Sequence, residues 1–299
     1  MKKNVLIWLS GENANLLPKA LVRITGNIND IDIVGITGTR NIQVTINEEK
    51  IPFIPKENLK QLKIDCVLLT GGDYNIKSVK YELNHYGQND TLVLPDRVCC
   101  LQGFSVARYR ELLDSKLSIF SQHCFGGLIS HLFGMPFRSP FVNMFFEEEN
   151  FLEFLENNPA QTLFHDLKFI GMDYEKNLHI DYPVFQCDNL VINMNHYSDI
   201  PSAISKWNER KQRVNFDNLL IVMFSNQQHI LERFSQLPYQ KKICFTFRPS
   251  SLPAICTLRA KEFPNKELQD CVNKIAIAVR QPLDLFELLL YGRQIPVHL

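Results

Sequence analysis

"SIFSQHCFGGLISHLFGMP", residues 118–136, reads as a strand, a glycine loop and a helix, and this order decides the fold class. "SIFSQHC" is a short apolar run of the length a buried strand takes. The helix is expected from about Gly127 to Phe133. Gly134 just past its end and Pro136 beyond form a stop signal, because neither residue continues a helix easily. A strand feeding a helix through a tight loop is the repeating unit of a parallel sheet covered by helices.

The same alternation runs outward in both directions. Towards the amino terminus come the strand "NVLIWLS", the helically spaced "NLLPKALVRIT", the strand "DIDIVGIT" and a short helix "IPKENLKQLK" opened by Pro55. "IDCVLLTGG", the helix "YNIKSVKYELNHYG" and the strand "TLVLPD" follow, then a helical connector "FSVARYRELLDSKL". "RNIQVTINEEKIPFIP" reads as an inserted hairpin with "NEEK" at its tip. Towards the carboxyl terminus come "SPFVNMFF" as a strand, "EEENFLEFLENN" as an amphipathic helix, and "VINMNH" as a strand ending at His196. After these follow the helix "DIPSAISKWNERKQRV", the strand "NLLIVMF", the helix "NQQHILERFSQL", the strand "KICFTF" and a last helical segment broken at Pro282. The expected class is therefore α/β: three layers, mostly parallel sheets with helices on both faces, Rossmann-like. No linker or repeat marks a boundary. The expected division is 1–110 and 111–299.

Composition narrows the function classes. The 299 residues carry 45% hydrophobic and 21% charged residues, an ordinary globular balance. Thirty-two basic residues cancel thirty-two acidic ones, so no global field points to nucleic acid or an anionic membrane. The apolar run after Lys2 and Lys3 is too short for a signal peptide, and no stretch approaches the roughly 20 residues of a membrane span. A cytoplasmic location is expected. Eight cysteines stand as scattered singles plus the Cys99–Cys100 pair, without metal-ligand spacing, so no metal is expected and the cofactor is open.

Ligands of such sheets bind beyond the carboxyl ends of the strands, near helix amino termini. "SGENAN" stands where a dinucleotide fingerprint would lie, with Gly11 and Asn13 as candidate cofactor contacts, although only one of its glycines is present. "SQHCFGG" offers more. Gly126 and Gly127 leave backbone N–H groups open to an anion, and His123 and Cys124 sit at the positive helix end, which lowers a thiol pKa. The alternative reading is a tight turn with Cys124 buried and inert. In "NHYSDIP" His196 stands at a strand end, with Ser198 or Asp199 as the helix cap. On the helix that follows, Ala203, Trp207 and Val214 form the buried stripe, and Lys206, Arg210 and Arg213 run along its edge as a solvated rim or an anion clamp.

Two resemblances add to this reading. The strand with "SGENA", "DIDIVGIT" and "IPFIPKENLKQLKIDCVLLT" resembles the amino-terminal nucleotide-binding-like domain of sugar acyltransferases and nucleotide-sugar epimerases from bacterial polysaccharide pathways. "SQHCFGGLISHLFGMPFRSPFVNMFF" with "DYPVFQCDNLVINMNHYSDIPSAISKWNERKQRVNFDNLLIVMF" is similar to a bacterial family named for exopolysaccharide biosynthesis, domain of unknown function nineteen-nineteen, over roughly residues 117–290. Its marked features include Ser139, Asn143 and Tyr197 beside Cys124, Gly126, Gly127, His196, Arg210 and Arg213. The resemblance implies a pathway, not a mechanism. The expected function is group transfer on an anionic sugar or sugar nucleotide. His196, Cys124 and His123 are the candidate catalytic residues; Gly126, Gly127, Ser139, Asn143, Tyr197, Arg210 and Arg213 are the candidate substrate contacts. A non-catalytic sugar-nucleotide binding or assembly subunit is the alternative. A homo-oligomer is compatible with either.

Overall fold

Runs of apolar residues that leave no polar face become central strands, since both faces of a parallel strand are covered by helices. In the computed structural model Cys66–Thr70 is buried at every position, and so is Ser118–Ser121. The structure describes residues 3–11, 15–28, 31–38, 44–46, 48–71, 75–142, 144–175, 179–197, 199–259, 266–277 and 282–296. The chain divides into two units, Met1–Arg110 with Leu132–Gly134, and Glu111–His131 with Met135–Leu299.

The first unit holds strands β1 (Lys3–Leu9), β2 (Ile31–Gly38), β3 (Val44–Ile46), β4 (Glu49–Ile51), β5 (Cys66–Thr70) and β6 (Leu92–Pro95). Its α-helices are α1 (Leu17–Thr25), α2 (Ile76–His85) and α3 (Asp96–Cys99), the helix expected after Pro55 is a 3-10 helix over Lys56–Gln61, and the division falls within α4 (Val106–Asp114). The main sheet is parallel in the order β2-β1-β5-β6, and β3 and β4 form the inserted antiparallel hairpin. Asn75 caps α2 by accepting from the Lys77 and Ser78 amides, a turn chemistry that fixes where the helix starts.

The second unit carries β7 (Ser118–Ser121), α5 (Phe125–Leu132), α6 (Glu148–Glu156), α7 (Pro159–Leu163), β8 (Leu167–Glu175), β9 (Ile180–Cys187) and β10 (Leu190–Asn193). Then come α8 (Ile200–Lys211), β11 (Leu219–Phe224), α9 (Gln228–Gln236), β12 (Lys241–Thr246), β13 (Ile255–Thr257), α10 (Leu268–Ile277) and α11 (Leu285–Tyr291). A parallel sheet in the order β13-β12-β11-β7 is joined by an antiparallel one, β10-β9-β8. Phe120, Phe141, Phe146, Phe185 and Trp207 meet in one core. Both units are α/β, with parallel sheets flanked by helices, the three-layer class.

Three expectations are corrected. "SPFVNMFF" is not a strand: Ser139 Oγ accepts the Phe141 amide at 3.1 Å and Val142 N reaches Pro140 O at 2.8 Å, so its first half is turns. Only the bridge Phe145↔Asn193 remains of it. "VINMNH" ends as a strand at Asn193, and the Tyr197 amide bonded to Met194 O at 3.0 Å makes the His196 segment a turn. That strand also belongs to the antiparallel sheet and not to the parallel one.

Candidate functional site

The loop after β7 is built by one hydroxyl. Ser121 Oγ donates to His123 O at 2.5 Å and accepts from the Gly126 amide at 3.0 Å, which folds the chain back as soon as the strand ends. A side chain at position 126 would put Cβ 2.9 Å from Ser121 Oγ and 3.1 Å from Ile119 Cγ2. Gly126 is thus required by the close approach of α5 to β7. The Cys124 carbonyl accepts the first helical bond, from Leu128 N at 2.9 Å, so Cys124 is the residue that caps α5. Among the described residues nothing accepts from the amides of Phe125 and Gly127.

Three backbone contacts bring the second half of the site to this loop. Phe146 N bonds to Gln122 O at 3.1 Å, and Phe145 and Asn193 exchange bonds of 2.9 and 3.1 Å. Gln122 also accepts the Phe224 amide on its side chain at 3.1 Å, which ties the end of β11 to the same knot. The segment 144–146 therefore sits between the end of β7 and the end of β10, and the turn after β10 carries His196 to the thiol. Cys124 Sγ lies 3.7 Å from His196 Nε2, within the reach of a sulfur hydrogen bond. Cys124 is partly buried and His196 is exposed.

The neighbouring candidates divide. Tyr197 turns inward, 9% exposed, and its hydroxyl donates to Val142 O at 3.1 Å. Arg210 donates through Nη1 to that hydroxyl at 2.7 Å and to Val142 O at 3.3 Å, with its guanidinium 5.3 Å above the Phe137 ring. No carboxylate pairs with it among the described residues. Arg213 is exposed and pairs with Glu209, which Lys206 also reaches, so those two cations share an acid on the outer edge of α8. Ser139, 3% exposed, spends its hydroxyl on the turn already described. Gly127 would place Cβ 3.2 Å from Val142 Cγ1. Asn143 lies outside the described residues. In the first unit a Cβ on Gly11 would stand 2.3 Å from Gly71 O, so steric contact alone accounts for that glycine. Asn13 lies outside the described residues.

Electrostatics assign roles. Burial pushes the Cys124 thiol above its ordinary value, and its own backbone N–H, working the other way, does not compensate. This corrects the expectation of a lowered thiol pKa: loss of water outweighs the helix start. His123 is driven down to about 3 by burial, its ring stacked on Phe145 at 5.4 Å and tilted against Phe224 at 5.0 Å. It is a neutral aromatic wall at working pH. Burial raises Tyr197, and Arg210 opposes that rise. Among the described residues no group of three His, Cys, Asp or Glu side chains is placed to hold a metal ion. No described helix is long and apolar enough to cross a membrane.

A family model described as "Domain of unknown function (DUF1919)" matches residues 97–291, which span the Cys124–His196 pair and everything that positions it. The chain belongs to the DUF1919 family. An uncharacterized protein of Haemophilus influenzae is 34% identical over 143 residues, 47% of this chain and 66% of the relative, just under two thirds of its length. A crystal structure of an AraC family transcriptional regulator from Pseudomonas putida aligns at 12% identity, over 41% of this chain and 67% of that one, with a TM-score of 0.23.

Within the DUF1919 region, sequence reasoning passed over Gln122, Phe145 and Val142. Gln122 and Phe145 stitch the strand ends, and the Val142 carbonyl holds Tyr197 and Arg210. A buried glutamine inside a strand-to-helix loop was the one available signal, since such an amide needs partners on both its ends.

Proposed function

We propose that this DUF1919 protein is a group-transfer enzyme that carries an acyl group on Cys124, with His196 as its base. One observation carries the reading: a thiol and an imidazole 72 residues apart in sequence meet at 3.7 Å, at the start of a helix. A nucleophile within reach of a base is the arrangement that covalent catalysis needs.

Because burial keeps the thiol protonated, the proton leaves only as the bond forms. Cys124 Sγ bonds to the carbonyl carbon of an activated ester or thioester while its proton passes to His196 Nε2. The Phe125 and Gly127 amides, which have no acceptor among the described residues, are the donors for the oxyanion. The tetrahedral species collapses, the bond to the leaving group breaks, and His196 returns the proton to that group. An acceptor hydroxyl then attacks the Cys124 thioester, giving its proton to His196, which passes it to the departing sulfur.

Phosphoryl transfer fits less well. Phe125 to Ser130 contain no cation to offset phosphate charge, and Arg210 is engaged by Tyr197 and Val142. The acceptor class rests on the resemblance alone: a sugar hydroxyl of a surface polysaccharide. The test is incubation with a small acyl thioester at pH 7, read by intact mass and peptide mapping. An adduct on Cys124 is expected, absent in Cys124→Ala and formed roughly 100-fold more slowly in His196→Ala. Equal adduct formation in Cys124→Ala sinks the reading. Binding of the thioester with no adduct at all makes the protein a binding subunit.

A further inference from the structure

Among the described residues strand β8 is the last in its sheet, and no strand lies beside one of its edges. Its pairing with β9 shifts between Phe169 and Gly171, which leaves Ile170 as a bulge and reverses the alternation after it. Following the partners on β9, Phe169, Met172 and Tyr174 share the face of Phe185, whereas Lys168, Gly171, Asp173 and Glu175 share the face of Tyr182. The bond from Tyr182 Oη to Asp173 at 2.9 Å agrees with this division. On β9 the first face is core, with Phe185 fully buried. On β8 the same face is open: Phe169 is 46%, Met172 53% and Tyr174 48% exposed. An apolar face thus runs out of the core to a bare strand edge, the situation natural sheets usually protect.

We infer that a second copy of this chain covers it, β8 pairing antiparallel with β8 of the other copy about a two-fold axis at Met172. The charges choose this occupant and direction. Lys168 stands at one end of the strand, Asp173 and Glu175 at the other, and no carboxylate pairs with Lys168 among the described residues. With Ile170 bulged in both copies, antiparallel pairing sets Lys168 opposite Glu175 and Phe169 opposite Tyr174, each twice. Gly171 meets Asp173, and Met172 meets itself. Every pair keeps its face: Lys168 with Glu175 and Gly171 with Asp173 on one, Phe169 with Tyr174 and Met172 with Met172 on the other. Parallel pairing in register would stack Lys168 on Lys168 and Glu175 on Glu175, which is unfavourable. The contact is isologous and closes at two chains.

Sedimentation equilibrium of the full chain across micromolar concentrations tests it. A two-chain mass is expected. Met172→Lys, which brings two ammonium groups to the axis, should raise the dimer Kd at least about tenfold without changing the circular dichroism of the fold. Lys168→Glu and Glu175→Lys should each weaken the dimer a few fold, on the order of cross-strand pair effects, and the double exchange should restore it. A one-chain mass throughout overturns the proposal. So does a dimer indifferent to Met172→Lys, which would place the contact on another face.

Discussion

His123 stands one residue from the thiol, yet its chemistry is that of a packing group. Its folded pKa of about 3 lies below the ordinary 6.5, so protonation is refused by the folded chain and accepted by the unfolded one. Above pH 6.5 both states are neutral at this ring and stability keeps its full value. As pH falls through 6.5 towards 3, stability declines, by on the order of a few kcal/mol in all and at most about 1.4 kcal/mol per pH unit. His123→Phe keeps the stack on Phe145 and removes the titration. Urea unfolding measured from pH 7 to pH 4 should therefore show a shallower loss in this variant. Parallel curves would mean the ring reaches water. At this scale the sequence singled out Cys124 and His196 and left their surroundings open. Both stand in loops that follow strands, but the desolvation that raises the Cys124 thiol and lowers His123 depends on buried neighbours that spacing does not reveal, such as the Phe145 and Phe224 rings against His123.

Elements explain what the residues could not. Most helices were legible from their unbroken period, and the central strands from uninterrupted apolar runs such as the wholly buried Cys66–Thr70. Strands β8 and β9 were missed because the bulge at Ile170 breaks the period of two in the longer strand, and its apolar side chains then follow no simple alternation. Losing that hairpin hid the antiparallel sheet, and with it the route by which His196 reaches Cys124. The loop glycines were legible as a pair but act differently. At Gly126 a methyl meets Ser121 Oγ and the β7 backbone, both fixed; at Gly127 it meets only the end of Val142. Gly126→Ala should therefore cost about 1–3 kcal/mol, as overpacking does, and Gly127→Ala clearly less, because alanine regains roughly 1 kcal/mol of helix propensity. Thermal unfolding of the two variants checks the order. Equal losses would mean that α5 can shift away from β7 freely.

Across the whole molecule the proposed chemistry is unevenly distributed. Cys124, His196, Tyr197 and Arg210 all belong to the second unit, and the family match begins at residue 97, leaving most of the first unit outside it. In that unit Gly11 is explained by its contact with Gly71, with no ligand needed. A ligand stabilises the structure it binds by an amount set by its concentration over Kd, about 2.7 kcal/mol at 100 times Kd. That stabilisation reaches only the amides that open together with the site. A non-cleavable thioether analogue of the acyl donor, at that excess, should slow hydrogen exchange about 100-fold in β7, β11 and β12 and leave β1 and β5 unchanged. Mass spectrometry of peptides from each strand reads the difference directly. Equal slowing in β1 and β5 would show that the two units open as one, and would remove the ground for placing the proposed reaction in the second unit alone. Slowing in β1 and β5 alone would move the site to the first unit and return Gly11 and its loop to the binding role that their position suggests.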